Sequence, residues 1–508
     1  MLLTSMTGYK KNTTLSLGGA WLKEVFFTKR MNSVPGWIVM ALVGIGLAYS
    51  GAQFGDKVPI MIAGGAVGVL FVLACLFYPE LAYYAYIYSI IIFTLPARMF
   101  GIPLPLGILI PGTGYLAVLS IMASQYRKRT NSADFWKTPI SLMMLLLFFF
   151  LLMEAFNPEI DSSKGWWNFF QKQILYLLFY YVSFLMFDSI EKIRRFVKYW
   201  IILATGVALW ACKQQWFGFT AFEDAFIHSD PNTTNLLFQG GMFRKFSLLP
   251  DPAAFGVMAT SSALFTLVLA IRTPIKKTRN WLYVVTFIQI IASSYSGTRT
   301  CNVMLIAGLL AYILFTINER RTIIVLLSSI FMALFLLFGP LRNSPVIFRI
   351  KTTFEGSKEP SNMVRDVNRK NIQPYIYEHP LGGGLHTCGE EGAVFYPGHR
   401  LAGYPPDSGY MKIMLEQGWI GLAINIIFYF IILQRGITGF YDSRKSEIKT
   451  LYIAFTVCFF SLVVGQYSQL GISQYPQYLF YLATLVIFYK LKEYDTKIPA
   501  DNEPINNA

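Results

Sequence analysis

Arginines, histidines and one glycine-rich turn carry most of the chemical potential of this chain, and they crowd into three polar stretches. The first, HSDPNTTNLLFQGGMFRKFSLLPDP, runs from 228 to 252, largely in the loop 218–250, and holds His228, Arg244 and Lys245. The second, SSYSGTRT, places Arg299 among Ser296, Gly297, Thr298 and Thr300. The third runs from 341 to 407 and includes SNMVRDVNRKNIQPYIYEHPLGGGLHTCG, with Arg365, Arg369, His379, His386 and, further on, His399. A guanidinium bonds two oxygens of one phosphate at once. A short hairpin of small hydroxyl residues lets backbone N–H groups converge on the same anion. Arg365 and Arg369 are four apart on a predicted helix over 361–378, where like charges repel by a few tenths of a kcal/mol unless an anion lies between them. The apolar set Met363, Val364, Val367 and Ile372 predicts that this helix is amphipathic and lies on a larger body. Gly382, Gly383 and Gly384 permit positive φ and close backbone approach to a ligand.

Each feature also has a plainer reading. Arg244 and Lys245 fit interfacial anchors on lipid phosphate. Arg299 fits a cation snorkelling from a helix end, Arg365 and Arg369 fit a solvated face with Asp366 and Glu378 as partners, and the triglycine fits a helix stop.

The elements that position these groups are hydrophobic. Apolar residues make up 54% of the chain and charged residues 14%. Soluble domains carry about 25% charge, so the expected fold class is an all-α polytopic membrane protein. Fourteen runs have the length to cross about 30 Å of hydrocarbon: 35–51, 58–78, 81–97, 105–124, 138–156, 169–187, 199–217, 251–271, 281–296, 300–317, 322–340, 410–434, 450–470 and 475–490. Pro96, Pro103, Pro105 and Pro111 interrupt the third and fourth, so twelve spans with a re-entrant pair also fit.

Positive charge gathers in alternate loops, among them Arg127–Arg129, Lys192–Lys198, Arg272–Arg279, Arg320–Arg321 and Arg435–Lys449. By the positive-inside rule both termini are expected in the cytoplasm and all four histidines outside it. The net charge of +15 is then a topological signal and does not point to nucleic acid. The expected organisation is a cytoplasmic tail (1–34), a first bundle (35–217), an outer loop (218–250) and central spans (251–340). A large outer loop (341–407) follows, then the last spans (408–490) and a second cytoplasmic tail (491–508).

The N-terminal stretch has no compact apolar core before a small-residue cleavage site, so no removable signal is expected. Cys75, Cys212 and Cys458 sit in apolar runs as small hydrophobes, and the sequence gives no pairing for Cys301 and Cys388. There is no CxxC, HExxH or P-loop. The outer loops hold no acidic cluster at divalent-metal spacing, so no metal or other cofactor is expected.

The order of motifs resembles a family. An arginine closing an outer loop, Ser-x-Thr-Arg, a helix with arginine, Pro-Leu-Gly-Gly-Gly and a span opening with the Glu416–Leu422 run EQGWIGL are similar to the O-antigen ligase and Wzy-type polymerase superfamily of bacterial envelope glycosyltransferases. The resemblance covers roughly 220–434, with PLGGG and DSGYMKIMLEQGWIGL its most specific parts. It implies transfer of a glycan from an undecaprenyl-diphosphate donor to an acceptor sugar hydroxyl on the outer side of the cytoplasmic membrane. In the family a histidine often stands nine residues before the glutamate, and here that position is Asp407. Asp407 is therefore the first choice for the general base, with His386 and His399 behind it; an N-cap role for Asp407 is the alternative. Arg244, Arg299 and Arg365, with Arg369 in reserve, would neutralise the diphosphate. Gly382, Gly383, Gly384 and Glu416 would support the acceptor side.

Polymerisation of O-antigen or capsular repeat units is favoured, on the aspartate at the ligase-typical histidine. Ligase activity, onto lipid A-core or protein, is the alternative. A lipid-linked-sugar flippase is the reading from another class. It would need cations lining a central cavity, whereas the ionisable residues noted in the spans (Glu154, Lys213, Lys412, Glu416) lie near their ends. The implied partners are the lipid-linked oligosaccharide, the acceptor glycan, membrane lipids and other polysaccharide-assembly proteins.

Overall fold

The structure, a computed structural model, describes residues 33–54, 57–102, 104–125, 133–239, 241–338, 360–406 and 408–497. Fourteen long helices coincide with the fourteen predicted runs: α1 Val34–Phe54, α2 Lys57–Phe77, α3 Pro79–Phe100, α4 Leu106–Gln125, α5 Pro139–Met153, α6 Ser163–Met186, α7 Ile190–Trp216, α8 Pro252–Arg272, α9 Lys276–Tyr295, α10 Arg299–Phe315, α11 Arg320–Phe338, α12 Gly409–Asp442, α13 Ser446–Gly465 and α14 Gln477–Lys497. Among the described residues, eight helices are long and apolar enough to cross a membrane by length and composition alone. The fold is an all-α polytopic membrane protein. Pro96 and Pro111 lie inside α3 and α4, which run their full length through them, so the proline-broken pair is two complete helices.

The chain forms two compact units, divided between Tyr83 and Tyr84 within α3. In the first, α1 and α2 pack together, and α1 is apolar all round with exposed Leu42, Val43 and Ile45, as a helix bathed in lipid would be. In the second, α8 is the central post, with 89% of its apolar window buried. It packs on α7, α9, α10 and α13. Its sequence, PAAFGVMATSSALFTLVLAIR, explains this position: small residues let neighbouring backbones come close where the solvent supplies no hydrophobic drive. Gly256 meets Ser296 and Cys301, and on α10 Gly308 meets Leu264. Asp251 caps α8 by accepting from the amides of Ala253 and Ala254, with Pro252 at the first helical position.

Residues 218–250 form two short helices, Ala221–Ile227 and Pro231–Leu237, and a hairpin pairing β1 (Phe238–Gln239) with β2 (Met242–Phe243). Buried Glu223 fastens the segment to α7 by accepting from Trp210, Gln214 and the Thr220 amide. Those hydrogen bonds outweigh burial and hold its carboxyl below the usual range.

The helix predicted over 361–378 runs from Pro360 to Glu378. Its buried face keeps Ile372 from the predicted set but corrects the sequence reading at Met363 and Val367. Ile372, Tyr375 and Ile376 pack with Cys388, Leu401 and Leu415, while Met363 and Val367 are exposed. The helix is held through its C-terminal half, where α12 and the 388–404 segment reach it. All five cysteines are free and buried, including Cys301 and Cys388.

Candidate active site

Three helix ends meet at the turn that follows α13. The Gly409 amide at the start of α12 donates to the carbonyls of Gln466 (2.9 Å) and Gln469 (3.2 Å). Thr300, in the first turn of α10, shares a 2.7 Å hydrogen bond with Ser468. Arg369 donates to the Tyr467 hydroxyl at 3.3 Å and lies over its ring at 5.0 Å. The N-termini of α10 and α12 thus reach the same turn, and helix N-termini favour negative charge.

Arg244 joins this assembly from the other side of the 296–300 hairpin. Its guanidinium donates to the Ser296 carbonyl (2.9 Å), the Thr298 hydroxyl (2.9 Å) and Gln239 (3.4 Å). Thr298 directly precedes Arg299, the first residue of α10, which is partly buried. The hairpin therefore groups Arg244 and Arg299 beside the turn that receives Arg369. Arg244 and Lys245 are each only 9% exposed. Lys245 sits 4.3 Å over the Phe219 ring, and burial lowers its pKa. Neither residue is the lipid-phosphate anchor that remained open from sequence. The side chain of Arg365 and the whole of Asp407 lie outside the described residues.

Asp407 is nevertheless bracketed. The residue that caps α12 is Ser408, whose hydroxyl accepts from the Met411 amide at 3.0 Å. The N-cap alternative for Asp407 is thereby taken by its neighbour.

The triglycine meets α12 nine residues into that helix. Gly418 departs from helical geometry with φ 63° and ψ −163°, breaking α12 into two segments. In an unbroken helix the Trp419 amide would donate to the Leu415 carbonyl. Here Trp419 donates to the Pro380 carbonyl at 3.0 Å, and Leu415 accepts from the Gly383 amide at 2.8 Å. Gly384 also donates to the Glu416 carbonyl at 3.0 Å. The turn adopts φ +80° at Gly382, and a Cβ there would strike the backbone of Glu416, Gln417 and Gly418. Asn157 supports it from below, donating to Glu154 (2.9 Å) and the Gly382 carbonyl (3.3 Å). The close backbone approach inferred for these glycines is to a helix.

Behind the break lies a charged cluster. Glu416 is 1% exposed, with Lys412 Nζ at 3.9 Å, and Lys412 also reaches Glu391 at 3.7 Å. His386, 4% exposed, adopts φ 61° between Phe169 and Phe395. Burial, with Lys172 and Lys412 facing it, drives its pKa down to about 3. Burial would raise Glu391, but Lys412, a backbone hydrogen bond, His386 and Lys172 together outweigh it and hold the carboxyl below its ordinary value. His386 Nδ1 and Glu416 Oε1 are buried with no hydrogen-bond partner among the described residues. Sequence reading passed over Lys172 and Glu391. A lysine inside the apolar run 169–187 was the available signal, since an ionisable group in a span marks a functional position.

Both fallback histidines are poorly set up as bases. His386 is too weakly basic at pKa about 3. His399 accepts the Leu401 amide on Nδ1 at 3.1 Å, so in its neutral form the proton sits on Nε2 and no acceptor nitrogen remains. Burial also lowers its pKa.

Residues 282–426 match the family model described as O-antigen ligase. The match supports the O-antigen ligase and polymerase superfamily for this segment of the chain. No curated protein matches it. The matched segment begins in α9 and ends in α12, so this ligase-type region contains the 296–300 hairpin, the triglycine, Asp407 and the broken helix, with Arg244 outside it. The match supports ligase- or polymerase-type glycosyl transfer in a multi-pass membrane protein, and that family implies a lipid-linked oligosaccharide and an acceptor as substrates.

Proposed function

We propose that this protein transfers glycan from an undecaprenyl-diphosphate-linked donor to an acceptor sugar hydroxyl, polymerising O-antigen or capsular repeat units at the outer face of the bacterial cytoplasmic membrane. The observation that carries the reading is the grouping of Arg244, Arg299 and Arg369 around the hairpin 296–300 and the turn 466–469, where two helix N-termini also arrive. In the transfer, the bond from the anomeric carbon to the diphosphate oxygen breaks and its electron pair leaves on the diphosphate. The acceptor oxygen bonds that carbon and gives up its proton. Guanidinium groups stabilise the charge that develops on the leaving group, without any metal. Arg244 shapes the hairpin, Arg299 and Arg365 meet the diphosphate, and Arg369 stands beside them.

Asp407 takes the acceptor proton. Ser408 relieves it of capping duty, and its place in the motif is that of the family's histidine. Polymerisation is preferred over ligation on that aspartate. The termini lie in the cytoplasm and the site outside.

Purified protein given a lipid-linked repeat unit, with no nucleotide sugar, should produce longer lipid-linked chains. Product appearing only when lipid A-core or a protein acceptor is added would make it a ligase. Lipid scrambling between leaflets with no new glycosidic bond would leave the flippase reading. For orientation, Gly398→Cys, in open space on the 388–404 segment, should react with an impermeant thiol reagent in intact spheroplasts, and Ser446→Cys should not. The reverse pattern would place the site on the cytoplasmic side.

A further inference from the structure

At the opposite end of the second unit, five helices enclose a cavity of about 880 Å³. It is lined by the ends of α5, α7, α12, α13 and α14, far in sequence and in fold from the arginine hairpin. Five cations, Arg194, Arg435, Arg444, Lys445 and Lys492, face three carboxylates, Asp442, Glu447 and Asp495. Two of the three carboxylates are already committed. Glu447 receives both arms of Arg194 at 2.6 Å, and Asp495 accepts the amides of Arg444 and Lys445 at 3.0 and 3.2 Å. Lys445 Nζ is spent on the Tyr494 carbonyl at 2.9 Å. The side chains of Arg435, Arg444 and Lys492 have no ion-pair partner among the described residues, and only Asp442 remains to offset them.

Part of the lining is apolar: Ile140, Ile448, Leu485 and Phe488 border the same space. Four of the five contributing helices are candidate membrane spans, and their ends meet here, so the cavity sits where hydrocarbon gives way to headgroups. A void lined by uncommitted cations and by apolar side chains at the ends of membrane helices matches a phosphodiester headgroup with the first carbons of its acyl chains. Basic pockets between membrane helices recognise anionic lipid in this way.

We infer that this cavity binds an anionic glycerophospholipid, its phosphate held by Arg435, Arg444 and Lys492. The site stands apart from the transfer chemistry and does not depend on the proposed function.

The test is native mass spectrometry of the full chain in mild detergent, titrated separately with phosphatidylglycerol, phosphatidylcholine and inorganic phosphate. Phosphatidylglycerol should be retained about tenfold more tightly than phosphatidylcholine, each well-placed cation contributing on the order of a fivefold effect. The double variant Arg435→Gln/Lys492→Gln should abolish that preference, and the charge-conserving Arg435→Lys/Lys492→Arg should keep most of it. Lys276→Gln/Lys277→Gln, on exposed cations at the start of α9 outside the cavity, should change nothing. Equal retention of the two lipids, or an unchanged preference in the first double variant, would overturn the site. Full displacement of phosphatidylglycerol by millimolar inorganic phosphate would identify a soluble phosphate ligand and overturn the lipid assignment. A melting temperature for the variants in detergent alone that equals the parent's confirms that they are folded.

Discussion

Gly382 and Gly418 face each other backbone to backbone, each at positive φ and each where a Cβ would strike the other's main chain. Around this contact the broken helix and the triglycine exchange hydrogen bonds: Trp419 gives its amide to Pro380, and Leu415 takes the amide of Gly383. The two most specific sequence motifs are thus one structural unit. It fixes where the first segment of α12, Gly409–Gln417, leaves the rest of that helix.

Substitution at this contact should be costly. Gly418→Ala and Gly382→Ala each impose a left-handed backbone on a side chain, a strain of about 1–3 kcal/mol before any clash. Both should lower the melting temperature in detergent and abolish glycan transfer. Gly398→Ala, in open space, should leave melting unchanged. Wild-type melting in Gly418→Ala would mean that the break in α12 is not obligatory.

The arginines should separate into two behaviours. Arg244→Ala leaves the Ser296 carbonyl and Thr298 hydroxyl without their buried donor, so stability should fall by about 1–3 kcal/mol together with activity. Arg299→Lys keeps charge but loses the planar fork. It should lose most activity with normal insertion and melting. Near wild-type transfer by Arg299→Ala would reduce Arg299 to an anchor.

Adjacent residues at the start of α12 should split stability from chemistry. Ser408→Ala removes the cap and should cost about 1 kcal/mol with transfer largely intact. Asp407→Asn should melt normally and lose about 10²–10⁴ in rate, the usual worth of a general base. If Asp407→Asn stays active, and His386→Ala and His399→Ala do too, a single-base mechanism is excluded and donor activation by the arginines is the main source of rate.

His386 predicts an acid limb in stability. Its pKa falls from an ordinary 6.5 to about 3 in the fold, so the unfolded chain binds a proton that the folded one refuses. Its contribution is fully present above pH about 6.5 and should be lost progressively as pH falls toward 3. Glu391, also held low, adds to the loss only below its ordinary 4.5. Melting followed from pH 7 to 5 should decline in the parent and flatten in His386→Asn, a replacement that tolerates positive φ. An identical decline in both would assign the limb to other groups.

Hydrophobic length was enough to locate helices α1 to α14 among the described residues, because a segment that must satisfy its backbone within lipid has no option but helix. That holds even through Pro96 and Pro111. Polar type was enough to nominate Arg244, Arg299, Arg369 and the triglycine. Partners were another matter. That Arg244 is consumed by Ser296 and Thr298, that Ser408 and not Asp407 caps α12, and that the glycines receive a helix all depend on which distant segments meet. So does the cluster of Lys172, His386, Glu391, Lys412 and Glu416, drawn from three helices and a loop. Of the face marked by Met363, Val364, Val367 and Ile372, Ile372 is buried beside Tyr375 and Ile376, where α12 reaches the helix, while Met363 and Val367 are exposed. The sequence by itself determined the elements and the chemistry on offer, since both follow from local composition and the length scale of the bilayer. The tertiary structure alone decided which groups are spent on holding the fold and which remain for a ligand, since that is settled by contacts between residues hundreds of positions apart.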